Sequence, residues 1–186
     1  MPQDILNSNF FELFGLPVSY DVDLNKVQQH YMALQKQVHP DKFASASDQE
    51  KRLSMQHTSW INEAQATLKD PVLRALYLLK LKDLDINFDN ETTMDAAFLM
   101  HQLEMRERLE DIRQKDTKHE GDPLAELETL AKEVKTSGEE MMAGFNNSYQ
   151  AGELDDAREW VRKLQFMQKA KKEINTLIAD IEDALM

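Results

Sequence analysis

The sequence contains no cysteine, only five glycines and five prolines among 186 residues, and no uninterrupted apolar run of membrane-spanning length. The absence of cysteine excludes disulfides and thiolate metal ligands, and it fits a reducing, cytoplasmic location. The scarcity of helix-breaking residues, beside plentiful Leu, Ala, Glu, Lys and Gln, favours helices over sheets. We expect no membrane span, and no signal peptide, because the start MPQDILNSNFFELFG lacks a basic region and a long apolar stretch.

Positive charge is also scarce. The chain has 22 Lys and Arg against 34 Asp and Glu, which gives a net charge of −12. Residues 1–80 are almost neutral, with eight basic and nine acidic side chains, whereas residues 81–186 carry 14 and 25. Such a field repels nucleic acid, so no nucleic-acid partner is expected. The expected partners are proteins, at least one of them with a basic patch.

The first half of the chain predicts a short helix followed by a helical hairpin. Asn7 or Ser8 is the expected cap of a turn that holds three phenylalanines. Apolar residues then recur every three or four positions over residues 24–38, which predicts a helix that ends at the next proline. Beyond a polar loop, Ser47 and Glu50 form the pattern of a capping box, so an antiparallel partner helix is expected.

A change of composition separates this half from the rest. The stretch LKDLDINFDNETT has no helical period and is rich in Asp and Asn, so it predicts a linker at 82–93 between domains at 1–81 and 94–186. The second domain predicts three long amphipathic helices with short turns, the second of which opens at Asp122 and Pro123. We therefore expect an all-α protein whose C-terminal part is an antiparallel three-helix bundle.

The stretch QVHPDKF places His39, Pro40 and Asp41 directly after the first long helix. A catalytic His-Asp couple needs a nucleophile or substrate-orienting groups, and the sequence has no Gly-rich phosphate loop or Gly-x-Ser-x-Gly turn. The five histidines are scattered without a His-x-x-x-His pair, so no metal site is predicted. The alternative without function is that Pro40 ends the helix while the two polar residues decorate a surface turn.

The surroundings of this tripeptide resemble a known domain. A short aromatic helix, an amphipathic helix ending in His-Pro-Asp, a polar loop and an antiparallel helix, with a short fourth helix, make residues 9–81 similar to the J-domain of co-chaperones of DnaK-type heat-shock ATPases. The segments HPDKFAS, INEAQATLKDPVLRALYLL, AAFLMHQLEMRE and VRKLQFMQK extend the resemblance to the HscB family, J-type co-chaperones of iron–sulfur cluster assembly. The resemblance implies that the chain is not itself an enzyme and needs no cofactor.

The resemblance also implies which residues contact the partner ATPase, HscA. His39, Pro40 and Asp41 would dock on this chaperone and stimulate its ATP hydrolysis, with Asp41 paired to an arginine of the ATPase. Basic residues before and after the tripeptide would assist. The available ones are Lys26, Lys36 and Lys42, together with His30. For each lysine the alternative is a solvated helix face.

A second surface follows from the helical spacing after residue 94. At 100° per residue, one side of this helix is an apolar core stripe and the opposite side is a second apolar stripe with an acidic border. The core stripe comprises Phe98, Met105, Leu109 and Ile112. The opposite stripe and its border comprise Ala96, Leu99, Met100, Leu103, Glu104, Glu107 and Asp111. An apolar patch with an acidic rim is typical of a protein docking site, and packing against another helix is the alternative.

Phe166 is a candidate for the same surface. It lies about 120° from the core seam of the last helix, and it would join the patch if the two helices are neighbours. Its alternative is a contact between adjacent helices. In the HscB family this bundle binds the iron–sulfur scaffold protein, IscU, through a hydrophobic patch and nearby acidic residues. The resemblance therefore implies that Phe166 and the opposite stripe with its border, Ala96 excepted, contact the scaffold.

We expect an adaptor that acts as a cytoplasmic monomer. The bundle would capture the scaffold, and the J-domain would bring it to the ATPase and trigger hydrolysis, which promotes cluster transfer. The competing hypothesis is a J-domain protein whose bundle dimerises or binds another client.

Overall fold

The chain folds into helices that cluster in two compact units, Met1–Asp85 and Ile86–Met186. The computed structural model describes residues 5–86, 93, 95–118 and 120–185, the side chain of Leu185 excepted. These ranges contain helices and turns and no strand, which confirms the predicted all-α class. Residues 87–92 of the predicted linker lie outside the described ranges, and the limits 1–81 and 94–186 stay a prediction.

The described part of the first unit consists of α-helices and one 3-10 turn. Its elements are α1 (Phe10–Leu13), α2 (Leu24–Val38), the 3-10 turn (Pro40–Phe43), α3 (Asp48–Lys69) and α4 (Pro71–Lys80). Helix α2 runs antiparallel to α3, because Gln28 pairs with Gln65 while Val38 pairs with Ser54. The predicted hairpin is therefore confirmed, and the 3-10 turn Pro40–Phe43 forms the first part of the predicted polar loop.

The cap of α1 is Asn9, so the prediction of Asn7 or Ser8 was wrong. The Asn9 Oδ1 accepts two backbone N–H groups of the first turn, at 3.0 Å each, and the Glu12 carboxylate accepts the Asn9 N–H at 3.0 Å. This reciprocal pair needs a Glu or Gln three residues after the cap. Only Asn9 has one, since phenylalanines stand three residues after Asn7 and Ser8.

The other helix starts agree with the sequence. Ser47 and Glu50 form the predicted capping box at the start of α3, with both reciprocal bonds present. Asp70 caps α4, where its carboxylate accepts two backbone N–H groups. Asp122 caps the second helix of the bundle and Pro123 is its first residue, as predicted. These starts are local, since each depends on residues within one helical turn.

Aromatic rings join the helices of the first unit. The ring of Phe10 stacks on Tyr77 of α4, with centroids 4.3 Å apart, and meets the edge of Trp60 of α3 at 5.0 Å. The Tyr77 hydroxyl also accepts the backbone N–H of Phe10 at 3.0 Å. Aromatic pairs of this kind add about 0.5–1.5 kcal/mol beyond the burial of their area. The short α1 is thus tied to both α3 and α4.

The second unit is a three-helix bundle. Its helices are α5 (Ala96–Lys118), α6 (Pro123–Ala151) and α7 (Leu154–Leu185). Arg108 pairs with Glu133 and Lys115 with Glu126, so residue numbers rise along α5 as they fall along α6. The turn after α6 returns the chain for α7 through Gly152, whose φ of 78° is left-handed. The predicted antiparallel arrangement is confirmed.

Helices α6 and α7 approach closely at one glycine. A Cβ atom added at Gly144 would lie 2.6–2.8 Å from ring atoms of Trp160, closer than real Cβ contacts allow. The same addition at Gly138, earlier on α6, would meet nothing within 4 Å. The indole ring of Trp160 therefore occupies the place where other residues at position 144 would carry a side chain.

Candidate docking sites

His39, Pro40 and Asp41 form an exposed corner at the end of α2. Pro40 disfavours helical geometry in the residue before it, and His39 accordingly leaves the helix with φ −54° and ψ 130°. The His39 Nδ1 accepts the Asp41 N–H at 3.3 Å and lies 3.5 Å from the Asp41 Oδ2. The two side chains are 53% and 92% exposed. This corner, residues 39–41, presents an imidazole and a carboxylate outward on a short, constrained turn.

The three candidate lysines lie at different distances from the corner. Lys36 is exposed in the last turn of α2, and Lys42 is exposed within the 3-10 turn itself. Lys26 is in the first turn of α2, about 20 Å along the helix from His39, and its ammonium is 4.0 Å from Asp23. The structure therefore brings Lys36 and Lys42 near the corner and leaves Lys26 at the other end of the helix.

Helix α5 has the two faces that its spacing predicts. The four residues of the core stripe are buried, as are Leu127 and Leu130 of α6. On the other side the exposed fractions of Leu99, Met100 and Leu103 are 41%, 57% and 50%. These three residues, termed here the apolar patch, are not covered by the other described helices of the bundle. Their exposure is the property that a docking surface requires.

The acidic border of the apolar patch is not uniform. Glu104 and Glu107 are exposed, and within the described ranges neither forms an ion pair. Asp111 differs, because its Oδ2 is 2.9 Å from the ammonium of Lys115, which also lies 2.9 Å from Glu126 of α6. Hydrogen bonds to Glu126 and Asp111 raise the pKa of Lys115. Asp111 is thus part of a link between α5 and α6, whereas the two glutamates have no such role.

Phe166 of α7 lies against α5. Its ring meets the ring of Phe98 edge-on, with centroids 5.8 Å apart and an angle of 84° between the planes. Phe166 remains half-exposed. The contact between adjacent helices is therefore present. It places Phe166 against Phe98, the neighbour in sequence of Leu99 of the apolar patch.

Two residues that sequence reasoning missed hold the first turn of α5. The Asp95 carboxylate accepts the Phe98 N–H at 3.1 Å and the ammonium of Lys163 at 2.6 Å. The hydrogen bond from Lys163 is the main reason that the pKa of Asp95 is lowered. The ammonium also lies 5.6 Å and 5.0 Å from the ring centroids of Phe98 and Trp160. Asp before a helical run is a cap signal that could have been used, but Lys163 has no local signal.

The described residues were compared with the requirements of a metal site and of a membrane-spanning helix. Among these residues no three His, Asp or Glu side chains are grouped so that they could hold a metal ion. No helix formed by them is long and apolar enough to cross a bilayer.

Comparisons with known proteins cover nearly the whole chain. A family model described as the HSCB C-terminal oligomerisation domain matches residues 94–175. A relative from Shewanella halifaxensis, named co-chaperone protein HscB homolog, is 44% identical over 184 residues, or 95% of this chain and 98% of the relative. The structure of chaperone HscB from Vibrio cholerae matches with a TM-score of 0.82 at 36% identity, covering 96% of this chain and 100% of that one. Human co-chaperone protein HscB matches with a TM-score of 0.80 at 28% identity, covering 95% and 83%.

Proposed function

Because the chain belongs to the HscB co-chaperone family, we propose that it delivers an iron–sulfur cluster scaffold protein, IscU, to a DnaK-type heat-shock ATPase, HscA, and stimulates that ATPase. The observation that carries the proposal is the exposure of two chemically different surfaces on two separate units. The first unit presents a polar corner at His39 and Asp41, and the second presents the apolar patch. An adaptor for two partners requires two such surfaces.

On the chaperone side, the corner supplies charge and shape rather than chemistry of its own. The Asp41 carboxylate is almost fully exposed and can accept a two-pronged hydrogen bond from an arginine of the ATPase. Lys36 and Lys42 add positive charge close to the corner, and Lys26 extends the basic contact along α2. The ATPase performs the hydrolysis, and docking of the corner shifts it toward the hydrolysing state.

On the scaffold side, Leu99, Met100 and Leu103 are the apolar anchors. Buried apolar side chains surrounded by a polar rim provide most of the binding energy in interfaces of this kind. Glu104 and Glu107 face basic groups of the scaffold, and Asp111 joins them by exchanging Lys115 for such a group. Phe166, which is half-buried, contributes the accessible part of its ring, while its packing on Phe98 keeps the first turn of α5 in place.

The two contacts act together by tethering. When the bundle holds the scaffold and the corner holds the ATPase, the scaffold is presented to the chaperone at a high effective concentration. Hydrolysis then locks the chaperone on the scaffold and favours transfer of the iron–sulfur cluster to acceptor proteins. In this proposal the chain works as a monomer in the cytoplasm and holds no cofactor.

The test is a reconstituted ATPase assay. ATP turnover is measured with the chain alone, with the chaperone alone, with the chaperone and the chain together, and with the chaperone, the chain and the scaffold together. We expect no turnover by the chain alone, a higher chaperone rate in its presence, and a further increase with scaffold. A chaperone rate that neither the chain nor the scaffold–chain pair changes would contradict the proposal.

A second candidate function for the bundle is self-association. The description of the matching family model as an oligomerisation domain favours it, and so does the exposure of three large apolar residues on one helix face. Sedimentation equilibrium at several concentrations separates the two candidates. We expect a monomer throughout, whereas a dimer that Met100→Glu dissociates would favour self-association through the patch.

A further inference from the structure

A buried hydrogen bond joins α3 to the residue before the corner. Ser54 is fully buried in α3, and its Oγ donates to the backbone carbonyl of Val38 at 2.6 Å. Thr58, one turn further along α3, places its Oγ1 at 3.5 Å from the same oxygen. Val38 is the last residue of α2 and is itself fully buried. The bond therefore links the second helix of the hairpin to the starting point of residues 39–41.

Among the described residues, no backbone N–H donates to the Val38 carbonyl. In a continuing helix it would accept the N–H of Lys42, four residues on. Lys42 instead donates to the carbonyl of His39 at 3.0 Å, because Pro40 has ended the helix. A buried carbonyl without a donor is costly. The hydroxyl of Ser54, at 2.6 Å, is the nearer of the two α3 hydroxyls that donate to it, and Thr58, at 3.5 Å, is at the limit of hydrogen-bond distance.

The peptide group between Val38 and His39 is therefore held at both ends. Its carbonyl is fixed by Ser54 of α3, and its N–H donates to the Gln35 carbonyl of α2 at 3.0 Å. Since a peptide group is planar, these two bonds set the direction in which the chain leaves α2. Directly after this peptide group, the His39 Nδ1 accepts the Asp41 N–H.

From this geometry we infer that Ser54 is a positioning residue for chaperone docking: its hydroxyl orients the Val38–His39 peptide and thereby the side chains of residues 39–41. The inference rests on the proposed function of the corner. Ser54 is fully buried and cannot touch a partner, so it acts only through the turn. Preorganised turns bind more tightly because less ordering is required at the moment of binding.

The test compares Ser54→Ala with a variant that weakens the same core without touching the carbonyl. Ile61→Val serves as that control, because Ile61 is fully buried on α3 and loses only one methylene-sized group. Ser54→Cys is the second variant, since a thiol is larger than the hydroxyl and a much weaker donor, so it fills the site without restoring the short bond. Each variant is titrated into the chaperone ATPase assay, and the amide resonances of His39 and Asp41 are followed by NMR.

With Ser54→Ala and Ser54→Cys, we expect the concentration for half-maximal stimulation to rise about tenfold, as for loss of a fixed hydrogen-bond geometry. In both Ser54 variants the maximal rate and the scaffold affinity stay unchanged, and the His39 and Asp41 resonances shift. Ile61→Val changes neither the concentration for half-maximal stimulation nor these resonances. Wild-type stimulation by both Ser54 variants, or an equal loss in Ile61→Val, would overturn the inference and leave the proposed function standing. A wild-type chain that stimulates no chaperone would overturn both.

Discussion

The two units present their candidate contacts in physically different ways. The corner consists of three consecutive residues whose backbone is constrained by Pro40, and its polar groups project into solvent with little packing around them. The apolar patch consists of residues spaced one, three and four apart on a long helix whose opposite face is buried. The corner therefore depends on backbone geometry, whereas the patch depends on apolar area and on the stability of the bundle beneath it.

This difference determines how each surface loses binding when its residues are substituted. A polar corner that must match one partner loses its function with a single side chain, because buried polar groups of the partner are then left unpaired. An apolar patch loses binding in steps, since each anchor contributes part of the buried area. Four measurements, from the largest expected effect to the smallest, test this contrast.

The largest effect is expected for His39→Gln. Glutamine keeps a polar side chain of similar reach but lacks the imidazole that accepts the Asp41 N–H. We expect stimulation of the chaperone ATPase to be lost and scaffold binding to be unchanged, measured by ATP turnover and by titration calorimetry. Gln29→Ala, on the exposed face of α2, is the matched control and should behave as wild type. Normal stimulation by His39→Gln would contradict the proposal that residues 39–41 dock on the chaperone.

The patch should lose affinity through its apolar anchors. Replacement of Leu99, Met100 and Phe166 by Ala should weaken scaffold binding by several kcal/mol, as for hot-spot residues. Because the corner is unchanged in this triple variant, it should still stimulate the chaperone ATPase when the variant is added at high concentration. Calorimetry with the scaffold measures the change after circular dichroism has verified the fold. Leu73→Ala, which alters an exposed leucine of the first unit, is the control. Wild-type affinity of the folded triple variant would show that the scaffold binds elsewhere.

The stability of the bundle should depend on Gly144. In Gly144→Ala the new Cβ would collide with the Trp160 ring, so we expect a loss of about 1–3 kcal/mol in the free energy of unfolding, as for an overpacked core. Gly138→Ala, in open space on the same helix, should instead gain about 0.5–1 kcal/mol. Each unit contains one of the two tryptophans, so Trp160 fluorescence in a Trp60→Phe background reports the bundle alone. Equal effects of the two alanines would contradict the close approach of α6 and α7.

The smallest effect is expected in the pH dependence of the stability of the first unit. His57 is almost fully buried in α3, and burial lowers its pKa. Well above the ordinary His pKa of about 6.5, the imidazole is neutral in both the folded and the unfolded state. As the pH falls below that value the unfolded state binds the proton first, so the first unit loses stability with a slope approaching about 1.4 kcal/mol per pH unit.

Trp60 fluorescence in a Trp160→Phe background measures this dependence during denaturant unfolding. His57→Gln should remove the slope between the folded-state pKa of His57 and pH 6.5, and the exposed His101→Gln should leave it in place. An unchanged slope in His57→Gln would mean that another group causes the acid sensitivity of the first unit.

The sequence by itself determined the elements whose signals are local. Ser47 with Glu50 and Asp122 with Pro123 identified helix starts because cap bonds join residues within one turn. The core stripe of α5 was predicted because one helix face repeats every three or four residues. The same local logic failed at α1, where three neighbouring polar residues competed and only Asn9 had a glutamate at the required spacing.

The tertiary structure decided what depends on residues far apart in the chain. Helical spacing placed Leu99 opposite the core, but only the packing of three helices left it exposed. Lys163 reaches Asp95 across 68 positions, and Ser54 reaches the Val38 carbonyl across 16. Such bonds join atoms that become neighbours only after the helices have packed, and no local pattern encodes them. The positions of the corner and the patch could therefore be predicted from the sequence, whereas the contacts that hold them in place could not.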